Sequence, residues 1–296
     1  MKLNTSFIKN IHATYGEEGK TWLGNLPAHL EKLSAQWNFQ MIHPVKDISY
    51  NFVAVVKLQS GLAILKTAPS AARLIAEAEW LKAHKKSVPI IFHIDKINNA
   101  YLMEKLEPGI SLKYLVKEGN DEKATRIISQ VILDLQSTDT LHQMNYQHIS
   151  EHITSFSLLS GHVDANIIDR ATFVFKELCA NCTNDIILHG DLHHDNILQN
   201  GTSWSVIDPH GYVGDPCAEV GPMIFNPLGC FPKHLPMEKV IESRLNILAE
   251  MLPFDLERIK AWAFCLALRS AAWDIEGFGS PDYQTMEIAK ILYNIL

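Results

Sequence analysis

Leu188-His189-Gly190-Asp191-Leu192-His193-His194-Asp195-Asn196-Ile197-Leu198 is the stretch on which the reading of this chain turns. Ile186-Ile187-Leu188 leads into it and Ile197-Leu198 ends it, two short apolar β runs with a polar loop between them. Asp191 and Asn196 stand five residues apart inside that loop. Twelve residues after Asn196, Asp208 ends a second β run, Trp204-Ser205-Val206-Ile207, and Pro209 and Gly211 follow as turn residues. Two strands thus deliver an acid, an amide and a second acid to one end of a small sheet. Phosphoryl transfer needs that set. One carboxylate orients an acceptor hydroxyl and can take its proton, while an amide oxygen and a second carboxylate hold Mg²⁺ against the phosphates. The transition state is loose, so positioning and charge neutralisation count for more than a strong base.

Plainer readings of the same residues compete. Gly-Asp alone is ordinary turn chemistry. His189, His193, His194 and His210 could form a metal cluster with Asp191. Adjacent side chains of an extended segment diverge, however, which tells against His193 and His194 sharing one ion. His189 is expected to brace the loop through a hydrogen bond.

Upstream, residues 5–37 carry Trp22, Leu23, Leu26, Leu30, Leu33 and Trp37 near helical spacing, with Pro27 marking a break or a new helix start. Residues 40–46, 52–58 and 61–67 read as strands, the last two as a hairpin turning at Ser60-Gly61. A helix is predicted over 70–86, and strands over 89–95 and 100–105 with Asn98-Asn99 between them. After Pro108-Gly109 the pattern is mostly helical: 121–136 with its apolar stripe, 165–181, and several helices from Pro236 onward, ending near 281–296. The fold class expected is α+β in two lobes, residues 1–106 binding nucleotide and 107–296 carrying catalysis and acceptor binding, joined by a connector at 104–109.

The chain has 296 residues, 47% of them apolar, which excludes a disordered chain. Met1-Lys2-Leu3-Asn4-Thr5-Ser6 has no apolar run of secretory type, and runs such as Ile90-Ile91-Phe92 are far too short to span a bilayer. A cytoplasmic protein without a membrane partner is expected. The five cysteines form no disulfide framework, and Cys179-x-x-Cys182 has no second pair to complete a zinc site. The net charge of −7 is unevenly spread: residues 1–106 hold 13 basic against 8 acidic side chains, residues 107–296 hold 13 against 25. The basic half suits a polyanionic cofactor. The acidic half suits a cationic small-molecule acceptor and argues against nucleic acid.

The His189-Gly190-Asp191 to Asn196 loop resembles the catalytic loop of the aminoglycoside phosphotransferases. Ile207-Asp208-Pro209-His210-Gly211-Tyr212-Val213-Gly214-Asp215-Pro216, with Asn226-Pro227, looks like their streptomycin 6-phosphotransferase and hydroxyurea phosphotransferase branch. Trp22 with Leu26-Pro27, Leu106-Glu107-Pro108-Gly109 and Ser270-Ala271-Ala272-Trp273 resemble that branch's N-terminal helices, hinge and substrate-side helix. The chain departs from the pattern at Glu219, where the branch often has Asp; the position reads as structural.

The resemblance implies a protein-kinase-like fold, ATP and Mg²⁺ as cofactors, Asp191 as the catalytic carboxylate, and Asn196 and Asp208 as metal ligands rather than Asp195. Lys66, a lone charge on an apolar strand, would meet the α and β phosphates and pair with a helix glutamate. Glu77 is preferred over Glu79 because Leu81 follows it at i+4. No G-x-G-x-x-G or Walker motif is present, and the turn Asp47-Ile48-Ser49-Tyr50-Asn51-Phe52 takes its place, with Ser49 as a phosphate contact. Met103, Glu104 and Leu106 would line the adenine site. Asp274, Glu276 and Trp273 are expected at the acceptor, the carboxylates for a guanidinium or ammonium and the indole for stacking. The leading activity is phosphorylation of a streptomycin-like acceptor. A metabolite kinase for a sugar, amino alcohol or hydroxyurea-like acceptor is the first alternative, and a non-catalytic ATP-binding protein of the same fold the second. Retention of Lys66, Asp191, Asn196 and Asp208 together argues against the last. A protein kinase is disfavoured by the missing glycine-rich loop and activation segment.

Overall fold

The long N-terminal helix bends where the chain can turn most cheaply. The computed structural model describes residues 3–46, 48–137, 146–233 and 235–296, with the backbone alone for Ala71 and Ala72. Helix α1 (Thr5–Trp37) is capped by the Asn4 side chain, which accepts from the Ser6 N–H, and kinks at Gly16, where φ is 53° and ψ −130°. Only glycine takes that conformation without strain. The helix runs on through Pro27, contrary to the break expected there, because Leu26, Leu30 and Leu33 continue one buried face across it.

Five strands follow: β1 (Gln40–Pro44), β2 (Phe52–Leu58), β3 (Gly61–Thr67), then, after α2 (Ala71–Ala83), β4 (Ile91–Asp95) and β5 (Ala100–Glu104). They form one antiparallel sheet in the order β1-β2-β3-β5-β4. Phe52, Ala54 and Val56 on β2, Ala63 and Leu65 on β3, and Leu102 on β5 alternate onto the face that α1 covers with Phe7, Ile11, Leu26 and Leu33. The same alternation sends Lys66 to the opposite face. Its register partner there is Tyr101 of β5. Residues 1–83 and 89–106 make one compact unit.

The second unit comprises residues 84–88 and 107–296. It opens on β6 (Pro108–Ser111), a short strand that the apparent helical character after Pro108 concealed. Then come α3 (Lys113–Lys117), α4 (Asp121–Gln136), a 3₁₀ segment at Ile149–Leu159 and α5 (Ala165–Ala180). Strand β7 (Ile186–Leu188) enters the loop read above, and β8 (Ile197–Asn200) and β9 (Ser203–Val206) leave it as a hairpin. Strand β10 (Tyr212–Gly214) returns antiparallel to β7. The single small sheet expected here is therefore two, β6-β8-β9 and β10-β7. Helices α6 (Gly221–Phe225), α7 (Met237–Met251), α8 (Leu256–Phe278) and α9 (Tyr283–Ile295) complete the unit, with α8 buried along most of its length from Ile259 to Ala272. No helix among the described residues is long and apolar enough to cross a membrane.

Two arginine networks, the first of them buried, fix the second unit. Arg244 of α7 is fully buried and forks onto both oxygens of Asp121 at the start of α4, at 2.6 and 3.0 Å. Its third nitrogen donates to the carbonyls of Met223, Ile224 and Asn226. Asp215, just after β10, accepts from Arg258 and from the Trp262 indole N–H, tying that loop to α8.

Candidate active site

The loop after β7 must turn within two residues, and Gly190 lets it. Its φ is +80°, and a Cβ there would stand 2.4 Å from the Tyr212 ring. Any other residue there would be strained and would push against that ring. The turn is held from behind by Glu219, whose two carboxylate oxygens accept the backbone N–H groups of His189 (2.6 Å) and Gly190 (2.9 Å). This gives the structural reading of Glu219 a mechanism: a carboxylate must reach two adjacent amides. Burial pushes the Glu219 carboxyl up to about 7, against the pull of those two hydrogen bonds.

A raised acid favours the neutral form in the folded state. The stability it contributes is therefore complete below the ordinary carboxylate range, near pH 4.5, and is lost as pH rises through about 7. Glu219→Gln is expected to remove a slope of order 3 kcal/mol between those limits. It should also lower activity, because the amide NH₂ that replaces one carboxylate oxygen cannot accept the N–H group it would face. Denaturant unfolding of both proteins across pH 4.5–7.5 reads the slope, and identical slopes refute the assignment.

His189 is buried and braces the loop as expected. Its Nδ1 accepts from the Asp191 N–H, so its Nε2–H donates to the Ile207 carbonyl at 3.0 Å. Burial drives its pKa down to about 3, so it is neutral. The Ile207 N–H in turn donates to the Asn196 carbonyl at 2.9 Å. Ile207 is thus stapled on both sides, and the next residue, Asp208, is exposed and adopts φ +60°, a left-handed conformation rare for a residue with a side chain.

Asp191 sits among donors. Asn196 Nδ2 donates to its carbonyl at 2.9 Å and to Oδ2 at 3.2 Å. His193 Nε2 lies 3.6 Å and His210 Nε2 3.7 Å from the same oxygen. Burial alone would raise the Asp191 carboxyl, but the hydrogen bond and charge of His193, with the charge of His210 behind it, hold it well below the usual range. The carboxylate is ionised at neutral pH. His193 Nδ1 accepts the Asp195 N–H, which leaves its proton on Nε2, facing Asp191. His194 points away into the interior and is fully buried, so the adjacent histidines do diverge. Asp195 pairs with Lys113. Among the described residues no His, Cys, Asp and Glu side chains cluster in threes as a zinc site would need.

A cavity of about 290 Å³ in this unit opens beside Asp191, with His193, Asp195, Asn226, Arg269 and Trp273 in its lining. Trp273 is the one residue of the expected acceptor trio that reaches it. Asp274 lies around the helix from Trp273, and its carboxylate accepts the Asp282 N–H at 3.1 Å, closing the turn between α8 and α9. Burial raises its pKa. Glu276 is exposed. Neither lines this cavity.

In the first unit Lys66 and Glu77 are both buried and paired at 2.6 Å, and the Tyr101 hydroxyl donates to the same Glu77 oxygen at 2.5 Å. Glu79 pairs with Lys96 instead. Met103 and Leu106 are buried, and the Glu104 carboxylate accepts the Ile90 N–H at 3.1 Å. Ser49 is exposed in the β1–β2 turn, where its carbonyl accepts from Asn10; Asp47 lies outside the described residues. Sequence reasoning missed Tyr101 and Arg269, and weighed His193 and His210 beside Asp191 only as metal ligands. Arg269 had a signal, a lone charge in the apolar run from Trp262 to Trp273 of α8.

The family model described as aminoglycoside/hydroxyurea antibiotic resistance kinase matches residues 37–277. Streptomycin 6-kinase of Streptomyces glaucescens is 24% identical over 288 residues, covering 94% of this chain and 92% of that one. Hydroxyurea phosphotransferase of Kitasatospora aureofaciens is 22% identical over 274 residues, 88% of this chain and 76% of that one. Among solved structures, a thermostable mutant of aminoglycoside phosphotransferase APH(4)-Ia, in a ternary complex with ADP and hygromycin B, superposes with a TM-score of 0.62 at 13% identity, covering 89% of this chain and 97% of that one. The two-lobed, protein-kinase-like α+β fold is shared.

Proposed function

The chain belongs to the aminoglycoside/hydroxyurea antibiotic resistance kinase family, and on that premise we propose that it transfers the γ-phosphate of ATP to a hydroxyl of a streptomycin-type antibiotic. The observation that carries the reading is the Asp191 carboxylate, kept ionised by His193 and His210 and held in place by the Asn196 amide. An ionised carboxylate orients an acceptor hydroxyl and receives its proton as the bond to phosphorus forms. Gly190 and Glu219 keep the loop from moving as it does so.

Asn196 and Asp208 are the residues that would hold Mg²⁺. Asn196 spends its Nδ2 on Asp191, which leaves its amide oxygen as the group to meet the ion, and Asp208 is an exposed carboxylate on a strained backbone. An all-oxygen donor pair with few protein ligands suits that hard ion. When bound, Mg²⁺ neutralises charge on the phosphates. Lys66, held by Glu77, contributes a fixed positive charge for the α and β phosphates, while Met103, Glu104 and Leu106 bound the adenine site and Ser49 lies on the phosphate turn.

Lys66→Met is expected to raise the KM for ATP about tenfold or more, since a charge-assisted contact is lost. Glu79→Ala, whose partner is a surface lysine, should change it less than twofold. Steady-state kinetics on both variants separates the Lys66 contact from the surface pair of Glu79, and an unchanged KM in Lys66→Met would remove Lys66 from the nucleotide site. For the acceptor, streptomycin incubated with ATP and Mg²⁺ should gain the mass of one phosphate. If streptomycin is neither bound nor modified while another hydroxyl compound is, the antibiotic assignment fails and a metabolite kinase replaces it.

A further inference from the structure

The cavity beside Asp191 has a second charged wall that phosphoryl transfer, as described above, leaves unused. Arg269 of α8 lines it and is only 4% exposed. Its guanidinium carbon lies over the Trp273 ring, 4.2 Å from the centroid, and over that of Tyr212, at 5.5 Å. Its hydrogen bonding is poor. Nη2 reaches the Gly190 carbonyl only at 3.4 Å, and Nη1 has no acceptor among the described residues. The carboxylates that share the lining are otherwise engaged, Asp191 with Asn196, His193 and His210, and Asp195 with Lys113. His152, edge-on to Trp273 and Tyr212, is kept neutral by burial and by the Arg269 charge, so it supplies no anion.

A buried arginine with an N–H unmet is costly unless something arrives to meet it. We infer that Arg269 is a specificity-determining residue of the acceptor site, receiving a carbonyl or carboxylate oxygen that the acceptor carries beside its reacting hydroxyl. Cationic groups of an acceptor then face away from this wall, because an ammonium there would meet the like charge of Arg269. The inference rests on the phosphotransferase reading for the identity of the ligand as acceptor; the contact with Arg269 can be tested without transfer.

Glycolate, glycolamide and ethanolamine share a two-carbon frame and place a carboxylate, a carbonyl amide or an ammonium beside one hydroxyl. Each is titrated into the full chain with Mg²⁺ and ADP present, with binding read by ligand-observed NMR. Wild type should favour glycolate and glycolamide over ethanolamine by about tenfold or more. Arg269→Met should lose that preference, and Arg269→Lys, which keeps the charge, should retain its direction. Equal binding of the three compounds by wild type overturns the inference, as does an unaltered preference in a folded Arg269→Met protein. Should Arg269→Met fail to fold, the wild-type ranking and the Lys variant decide alone, and a Lys variant that prefers ethanolamine sinks the idea. A wild type that shows the preference yet phosphorylates no acceptor supports the Arg269 contact and defeats the kinase reading instead.

Discussion

Asp191→Asn should lower kcat by roughly 10²- to 10⁴-fold, the usual contribution of a positioned general base or orienting carboxylate, while leaving the KM for ATP within a few-fold of wild type. The substitution keeps the shape of the side chain and removes its charge. Three things change at once. The acceptor hydroxyl loses the group that receives its proton, His193 and His210 lose the anion they face, and the Asn196 Nδ2 meets either an amide oxygen or a repelling NH₂. With the carboxylate gone, the cause that holds the His193 imidazole above its ordinary pKa against burial is gone too, so His193 should titrate at lower pH in the variant. NMR titration of the His193 ring checks this independently of turnover. A variant with near wild-type kcat would mean that Asp191 does not orient the acceptor.

Arg244→Met should be the most damaging change to stability, at about 3–5 kcal/mol, the cost of breaking a buried ion pair by removing one partner. Asp121 would be left buried without its guanidinium, and the carbonyls of Met223, Ile224 and Asn226 would lose their shared donor. Melting temperature should fall by about 10 °C or more for a unit of this size. The double variant Asp121→Leu/Arg244→Met should recover part of the loss, since it removes both charges rather than one. Because Asn226 and Phe225 line the cavity beside Asp191, residual activity in the single variant should show a raised KM for the acceptor. Equal melting temperatures for wild type and Arg244→Met would show that this network carries little.

Much of this was legible because the informative residues are local in sequence. The apolar runs around His189–Asn196 fixed two strands and a loop, and alternation along β2 and β3 fixed which side of the sheet Lys66 occupies. Lys66 lies eleven residues from Glu77, close enough for the i+4 pattern with Leu81 to choose between two glutamates. What escaped reading depends on partners far along the chain. Strand β6 has four residues and exists because β8 pairs with it about 90 positions later; its own composition, Pro-Gly-Ile-Ser, argues for a turn. Strand β10 has three residues and is defined by β7.

At Pro27 local chemistry pointed to a break, and the amphipathic face of α1 overrode it, while Gly16 supplied the bend without any flanking signal. Asp274 and Glu276 were assigned by charge and position on α8; a helix turns by about 100° per residue, which carries Asp274 off the face of Trp273, while Glu276, one turn further on, is exposed and outside the cavity lining. Arg269, four residues before Trp273, shares its face and reaches the cavity instead. Acidic composition in the second unit therefore says little about the charge of the acceptor site itself.

The central claim is that a group built on Asp191 moves phosphate from ATP to a small molecule. It is tested most directly by supplying ATP labelled in the γ-phosphate, with Mg²⁺ and a broad panel of hydroxyl acceptors that includes streptomycin, and following the label by mass spectrometry in wild type and Asp191→Asn. The label should appear covalently on at least one acceptor with wild type and be nearly absent from it with the variant. Binding of ATP with no label on any acceptor, or equal labelling by both proteins, would contradict the account.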